Sequence, residues 1–427
     1  MPHLQLPPEL WIVIFRWATH PPNGYPAPYY EPFRAPSEMF DEQLKTKRAL
    51  VQVCRLWRAF ATKFLYEDVR IRYDAGKLMT VLADHHRLEA FQTHSLGSFV
   101  HRLELPYSQT ATEKPGDTHD VVQILGNCPS LKTLVRPFFE ALPYSVRYEF
   151  PAEIVSLSSL TRLEWWHYNN AARSGGINSL MDVLRNAPSL QFLALGGEFW
   201  MNSMRQDSPV RLPALTTLRL RRVNALFVWQ IRQWDLPSLV HVIADFPADP
   251  GGLEELWLQF SRQLCTVELG QNIAFHMTDQ ISALLRGGAG VKVLNYFINF
   301  TASPSEYRLV EQSALQCVGI HALPCGILND NWMHLNSHFE FLSSRFLPAL
   351  KRIILYGNWQ QIIKDSRISP ALDLLTQKGC AILFADQSTP PPCDHLSLTV
   401  RLCVFSGAYL HLLFSGRRLV LDNRTHS

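Results

Sequence analysis

Several clusters in this 427-residue sequence contain residue types that could do chemistry, but their spacing argues against each. His334 and His338 lie four apart, yet the Glu that a zinc hydrolase helix carries beside its first His is missing. His85 and His86 are adjacent, so on a helix they would face different directions. The glycine run 287–290 lacks the Lys-Ser/Thr pair of a phosphate-binding loop, and no Gly-x-Ser-x-Gly elbow occurs. We therefore predict a non-catalytic protein without metal or cofactor, whose glycine run is a tight turn.

The cysteines indicate a reducing compartment. No Cys-x-x-Cys pair is present and no His pair completes a zinc pattern. Pro7, Pro8 and Glu9 interrupt the start of the chain, where a secretory signal would be apolar. A cytoplasmic or nuclear protein with reduced thiols is expected. The eight cysteines are residues 54, 128, 265, 317, 325, 380, 393 and 403.

Composition excludes several classes of partner. A hydrophobic content of 47% with 18% charged residues is typical of a folded protein. The net charge of +3 is small for this length, so nucleic acid is not expected to bind. The apolar stretch 396–414 is interrupted by Arg401 and is too short for a membrane span. We predict a linker and loosely packed tail at 388–427, and no membrane contact.

The amino-terminal residues predict helices with two apolar faces. Pro7 and Pro8 suit the first positions of a helix, where a missing N–H costs nothing. The run 10–17 that follows is apolar almost all the way round, so one face needs its own domain and the other a second body. One stripe is Leu10, Val13, Ile14 and Trp17, and the other is Trp11 and Phe15.

A second helical pattern follows a break. The segment at about 20–40 is rich in Pro and Tyr and is expected to be an irregular insert. A helix is predicted to resume near Glu42, with apolar residues three and four apart on one face. These residues are Leu50, Val53, Cys54, Trp57, Phe60 and Ala61.

Both stretches together resemble the F-box, in the form common in F-box-like proteins of mushroom-forming (basidiomycete) fungi. The matching residues are Leu6-Pro7-Pro8-Glu9-Leu10 with Ile14-Phe15, then Val53-Cys54-Arg55-Leu56-Trp57-Arg58 and Leu65-Tyr66. The insert between the two halves is longer than in a compact F-box. The resemblance covers about the first 70 residues and implies a trihelical domain that binds a Skp-type adaptor and so joins a cullin–RING ubiquitin ligase. By position, it implies that the adaptor-binding residues are Leu6, Pro7, Leu10, Ile14, Leu50, Val53, Cys54 and Trp57.

A leucine-rich phrase recurs along the rest of the chain. Residues 120–131 match residues 179–190 at an offset of 59, which is two units of just under 30. In one unit, a helix at 178–185 stops before a Pro, and Leu193 and Leu195 then alternate as a short strand. One unit cannot cover its own apolar face, so neighbours must stack into a solenoid. The anchoring positions are 131, 160, 190, 215, 239, 264, 291, 315 and 350.

These repeats resemble the irregular leucine-rich repeats that often follow a fungal F-box. The fold class expected is an α/β solenoid: a small trihelical F-box-like domain, then an irregular leucine-rich-repeat arc with parallel strands on its concave face. The predicted boundaries are 1–72 for the F-box-like domain, 73–387 for the arc and 388–427 for the tail.

The concave face is the predicted site of target recognition. Side chains between the buried Leu positions point to it, and its mixture of Trp, Tyr, Arg and acidic residues suits protein binding. The function expected is a substrate receptor of a Skp–cullin–F-box ligase, monomeric within a hetero-complex, whose target protein is unknown. The alternatives are a repeat scaffold that recruits no ligase, ordinary helical-bundle core residues at the amino terminus with no external partner, and an enzyme on an unrecognised fold. The target-binding residues expected are Arg162, Glu164, Trp166, Arg219, Arg221, Asp245, Glu268, Asn295, His321, Arg352 and Tyr356.

Overall fold

A computed structural model describes most of the first 385 residues. The described residues are 6–19, 32–33, 40–71, 75–83, 95–105, 117–137, 150, 152–167, 179–197, 209–245, 250–270, 279–305, 311–322, 332–357 and 359–385. Contacts divide the chain into two compact units, residues 1–384 and 385–427. All elements below belong to the first unit. The predicted tail at 388–427 lies outside the described residues, as does most of the insert at 20–40.

Twelve strands form one parallel sheet whose spatial order is the order of the strands along the chain. Among the described residues, each strand pairs with its neighbours in sequence, as stacked repeats require. The prediction of a parallel α/β arrangement of solenoid type is confirmed at this level. The strands are β1 (Asp68–Arg70), β2 (Arg102–Glu104), β3 (Thr133–Arg136), β4 (Arg162–His167), β5 (Phe192–Gly197), β6 (Thr217–Arg221), β7 (His241–Asp245), β8 (Thr266–Leu269), β9 (Val293–Phe297), β10 (Cys317–Ala322), β11 (Arg352–Gly357) and β12 (Ala381–Phe384).

The nine predicted anchoring positions have the same role in each repeat. All nine are buried, and each lies two residues before a strand, from β3 to β11. The anchor fixes the chain where it turns, so the next two N–H groups can reach the preceding repeat. The amides of Thr161 and Arg162, for example, both donate to the carbonyl of Lys132 at 2.9 Å. The anchors thus set the register of the sheet.

Helices cover one side of this sheet. Their apolar residues and the inward strand residues, such as Leu163, Leu193 and Leu218, form one continuous core. The other side, carrying the alternate strand positions, is here called the open face. The helices that follow β1 are α4 (Ala75–Ala83), α5 (Asp117–Gly126), α6 (Ser179–Arg185), α7 (Ala225–Ile231), α8 (Pro250–Phe260), α9 (Gln280–Gly287), α10 (Trp332–Ser343), α11 (Trp359–Ile362) and α12 (Ser369–Gln377).

Three helices precede the sheet: α1 (Pro8–Thr19), α2 (Phe40–Val53) and α3 (Arg55–Tyr66). They pack on one another around a small core of Phe15, Ala61 and Phe64. The single helix predicted from Glu42 through Ala61 is wrong, because the chain breaks at Cys54.

Cys54 breaks the helix by capping the next one. Its backbone is extended, with φ −160° and ψ 172°, and its Sγ accepts a hydrogen bond from the Trp57 N–H at 3.4 Å. This is an N-cap arrangement, in which a side chain satisfies an amide that has no partner within the helix. Val53 and Trp57 therefore belong to different helices and not to one continuous stripe.

The end of α3 continues directly into the sheet. The carbonyl of Glu67 accepts hydrogen bonds from the amides of His101 and Arg102, at 3.0 and 2.9 Å. The Lys47 Nζ lies 3.9 Å from the Glu67 Oε2. Burial lowers the pKa of Lys47 and raises the pKa of Glu67, since both charges have lost water. Glu67 thus joins α2 and the end of α3 to β2.

An ion cluster lies on the open face at the first two strands. Arg102 donates to Asp68 Oδ1 at 2.7 Å and to Glu104 Oε2 at 3.0 Å. Arg70 lies 4.0 Å from Asp68 and 3.9 Å from Glu104. Asp68, Arg102 and Glu104 are all buried. These two cations and two anions, which we call the N-terminal ion cluster, compensate one another.

Candidate functional site

The first candidate site is an exposed apolar surface on α1. Leu10, Val13 and Ile14 each expose nearly half of their surface, and Trp17 exposes 82%. Spacings of three and four place them on one side of the helix. Isolated exposed apolar residues are ordinary in proteins, whereas a contiguous group marks an interaction surface. The sequence-predicted division of α1 into two stripes matches this arrangement.

The second stripe holds α1 against α3. The ring centroids of Trp11 and Phe15 lie 5.8 Å apart, and each is 5.0 Å from the centroid of Trp57. Such tilted and edge-to-face pairs add to the energy of burial. The exposed stripe is therefore presented by a helix whose other side is fixed.

Most of the eight residues predicted to bind the adaptor are accessible. Leu50 and Trp57 are half-buried because they pack against the small core of the three helices. The sequence pattern missed Leu56, an exposed residue on the first turn of α3, next to Trp57. The six exposed residues are Leu6, Pro7, Leu10, Ile14, Val53 and Cys54.

The second candidate site is the open face. Strand register places all eleven predicted target-binding residues there, in three rows that run across the sheet. Because side chains alternate along a strand, none of them falls in the rows that carry the core leucines. The rows are Arg162 and Arg352; Glu164, Arg219, Glu268 and Asn295; and Trp166, Arg221, Asp245, His321 and Tyr356.

Charged side chains of the open face bind one another. Arg219 lies 2.6 Å from Asp245, and the Arg162 Nε donates to Glu164 at 2.8 Å. The guanidinium of Arg162 also stacks 3.9 Å from the centroid of Phe192, a cation–π geometry. This end of the open face is pre-organised by its own ion pairs.

Three of the predicted contact residues are less accessible than the sequence pattern indicates. Asp245, Glu268 and Asn295 are buried although they lie on the open face. Asp245 is covered in its pair with Arg219, and Glu268 accepts a hydrogen bond from the backbone N–H of Phe33. A buried carboxylate requires such donors.

Glycines make room for large side chains on the open face. Gly196 lies directly opposite Trp166 in register, and a Cβ there would overlap the ring of Trp166. At Gly319 a Cβ would overlap Asn295 Oδ1 and lie 3.0 Å from Tyr356 Cε2. The rings of Trp166 and Tyr356 can therefore pack flat against the sheet over these glycines.

Gly196→Ala is expected to lower the free energy of unfolding by about 1–3 kcal/mol, because the added methyl displaces the Trp166 ring. Gly126→Ala is the matched control. Gly126 ends α5 and nothing lies within 4 Å of a Cβ placed there, so this change should be neutral or stabilising. Denaturant unfolding of both variants measures the difference, and equal stability would show that Trp166 does not need this space.

Aromatic rings line the open face near its carboxy-terminal end. Phe297, His321 and Tyr356 follow one another on β9, β10 and β11, and the rings of Phe297 and His321 are 4.4 Å apart. Burial lowers the pKa of His321 to about 4, so the imidazole is neutral near pH 7. Phe297 is not among the residues predicted from the sequence, although its position one residue after the buried Tyr296 places it outward.

His334, His338 and the glycine run have structural roles, whereas His85 and His86 lie outside the described residues. His338 lies within hydrogen-bonding distance of the Tyr296 hydroxyl at 3.3 Å and of the Thr301 carbonyl at 3.1 Å. His334 lies 2.7 Å from the Ile298 carbonyl. The glycine run 287–290 forms the turn from α9 into β9. Within the described ranges, no group of three metal-ligating side chains converges.

Neither protein-family models nor curated proteins supply a relative from which a function could be transferred. Among the described residues, none of the helices has the length and apolar character needed to cross a bilayer. No protein-family model matches the chain, and no curated protein matches it significantly.

Proposed function

We propose that this chain is a substrate-recognition adaptor of a Skp–cullin–F-box ubiquitin ligase. In this role α1, α2 and α3 form the F-box and dock on a Skp-type adaptor. The leucine-rich-repeat arc holds a target protein on its open face. The chain itself performs no chemistry, and acts from the cytoplasm or nucleus by bringing target and ligase together.

The observation that supports this proposal best is the uncovered apolar stripe on α1. Leu10, Val13, Ile14 and Trp17 stay exposed while the opposite side of the same helix is packed. Covering a solvent-exposed apolar surface of this kind with another polypeptide is favourable, because it removes apolar area from water. Its place beside the residues that resemble an F-box motif makes a Skp-type adaptor the occupant we propose.

Co-expression of the full chain with a Skp-type adaptor tests the docking role. We expect a one-to-one complex that survives size-exclusion chromatography and that brings cullin with it when cullin is added. Absence of any complex would support the alternative, a repeat scaffold without ligase recruitment. Target capture by the open face is measured separately, so the two roles can fail independently.

A further inference from the structure

One residue of the amino-terminal insert, Phe33, lies on the open face, against strands that are distant from it in the sequence. Phe33 belongs to the connection between α1 and α2, yet its N–H donates to Glu268 Oε1 at 3.3 Å and Oε2 at 3.4 Å, across 235 residues. Its ring centroid is 4.8 Å from that of Phe297, 5.2 Å from His321 and 5.0 Å from Tyr356. The ring meets all three edge-on.

We call Glu268, Phe297, His321 and Tyr356 the aromatic cleft. Four neighbouring strands, β8 to β11, supply one residue each. The carboxylate accepts a backbone N–H, a group that every residue but proline offers, while three rings surround an aromatic side chain. The cleft is therefore a recognition site for one aromatic residue on an extended or turning backbone.

The backbone of Phe33 is strained. Its φ of +66° lies in the left-handed region, which bulky side chains rarely adopt. Such a conformation persists only where surrounding contacts fix it. Pro32 precedes Phe33 in the turn, and the proline ring fixes the φ angle of Pro32 itself. Phe33 occupies the cleft because covalent linkage gives it a high local concentration there. An outside peptide that binds without this strain could therefore compete with it.

We propose that the aromatic cleft is a target-recognition subsite, and that Phe33 is its intramolecular occupant. A target would bind by inserting an aromatic side chain from an unstructured segment and displacing Phe33. This inference rests on the proposed role of the open face in target binding. It also links the two sites, because the segment that leaves the cleft is the connection between the helices proposed to dock the adaptor.

A fluorescent peptide with the sequence of residues 29–37 tests the proposal on the full-length chain. Phe33→Gly removes the ring from the cleft, and glycine adopts a positive φ without strain, so folding is preserved. We expect Phe33→Gly to bind the peptide at least roughly tenfold more tightly than the parent protein, measured by fluorescence anisotropy. Phe33→Ala should behave similarly. A peptide with Ala in place of its Phe should not bind.

Variants of the cleft provide the controls. In the Phe33→Gly background, Tyr356→Ala should abolish peptide binding and Tyr356→Phe should retain it. Met333→Ala changes an exposed residue on α10, away from the open face, and should leave binding unchanged. Equal peptide affinity for parent and Phe33→Gly, or binding that does not depend on the peptide's Phe, would overturn the proposal.

Adaptor binding is measured on the same proteins. If the parent protein does not bind the adaptor, the ligase role alone is refuted. If the adaptor binds but the peptide does not bind as expected, the subsite alone is refuted.

Discussion

Ile14→Asp is expected to weaken binding of the Skp-type adaptor by about 100-fold or more while the chain stays folded. Ile14 is exposed in the free chain, so a carboxylate there keeps its water. In a complex the same carboxylate would be buried among apolar side chains, which costs several kcal/mol without a partner charge. Since about 1.4 kcal/mol corresponds to a tenfold change in affinity, the effect is large.

Met333→Asp is the matched control for this substitution. Met333 is 86% exposed on α10 of the arc, so the same kind of change is made on a helix outside the proposed docking surface. Adaptor affinity, measured by calorimetry with purified proteins, should be unchanged in this variant. If Ile14→Asp binds within about twofold of the parent protein, α1 is not the docking helix.

Arg102→Ala is expected to destabilise the amino-terminal end of the sheet by about 3–5 kcal/mol. Asp68, Arg102 and Glu104 are buried, and removing Arg102 takes away the guanidinium that donates to both carboxylates, whereas Arg70 lies farther from them, at 4.0 and 3.9 Å. Breaking a buried ion pair costs far more than the pair's net worth, because an uncompensated charge stays behind.

Native-state hydrogen exchange of the amides in β1 and β2 measures this loss. Arg211→Ala serves as the control, because its pair with Asp235 has a similar distance, 3.1 Å, but the Arg211 side chain is 74% exposed. An exposed pair contributes at most about 1 kcal/mol. Similar losses in the two variants would mean that the N-terminal ion cluster is solvated in solution.

The repeat architecture could be predicted from the sequence because its signal is local. Leu190, Leu193 and Leu195 lie close together in the chain, and their alternation alone indicates the strand β5 and which of its sides is buried. The same alternation placed the eleven open-face residues, and would have found Phe297. Each of these placements depends on a few neighbouring residues.

Other features depend on contacts that no local pattern encodes. The break at Cys54 accompanies a side chain that accepts from the backbone N–H of Trp57, three residues on, while the apolar spacing across it still fits one helix. The buried carboxylate of Glu268 accepts a hydrogen bond from Phe33, 235 residues away. Whether an outward strand position is accessible is decided by what the rest of the chain places above it.

The strictly sequential strand order also determines how a local destabilising change affects the stacked repeats. Each described strand hydrogen-bonds to the preceding and following ones. A destabilising change in one strand therefore weakens its immediate neighbours most, and its effect on stability decreases with distance along the sheet. Unfolding should therefore spread inward from the ends of the array, in steps, and no single melting temperature describes the whole chain. Partial fraying at β1, at the other end of the sheet, would leave β8 to β11, the strands that form the aromatic cleft, intact.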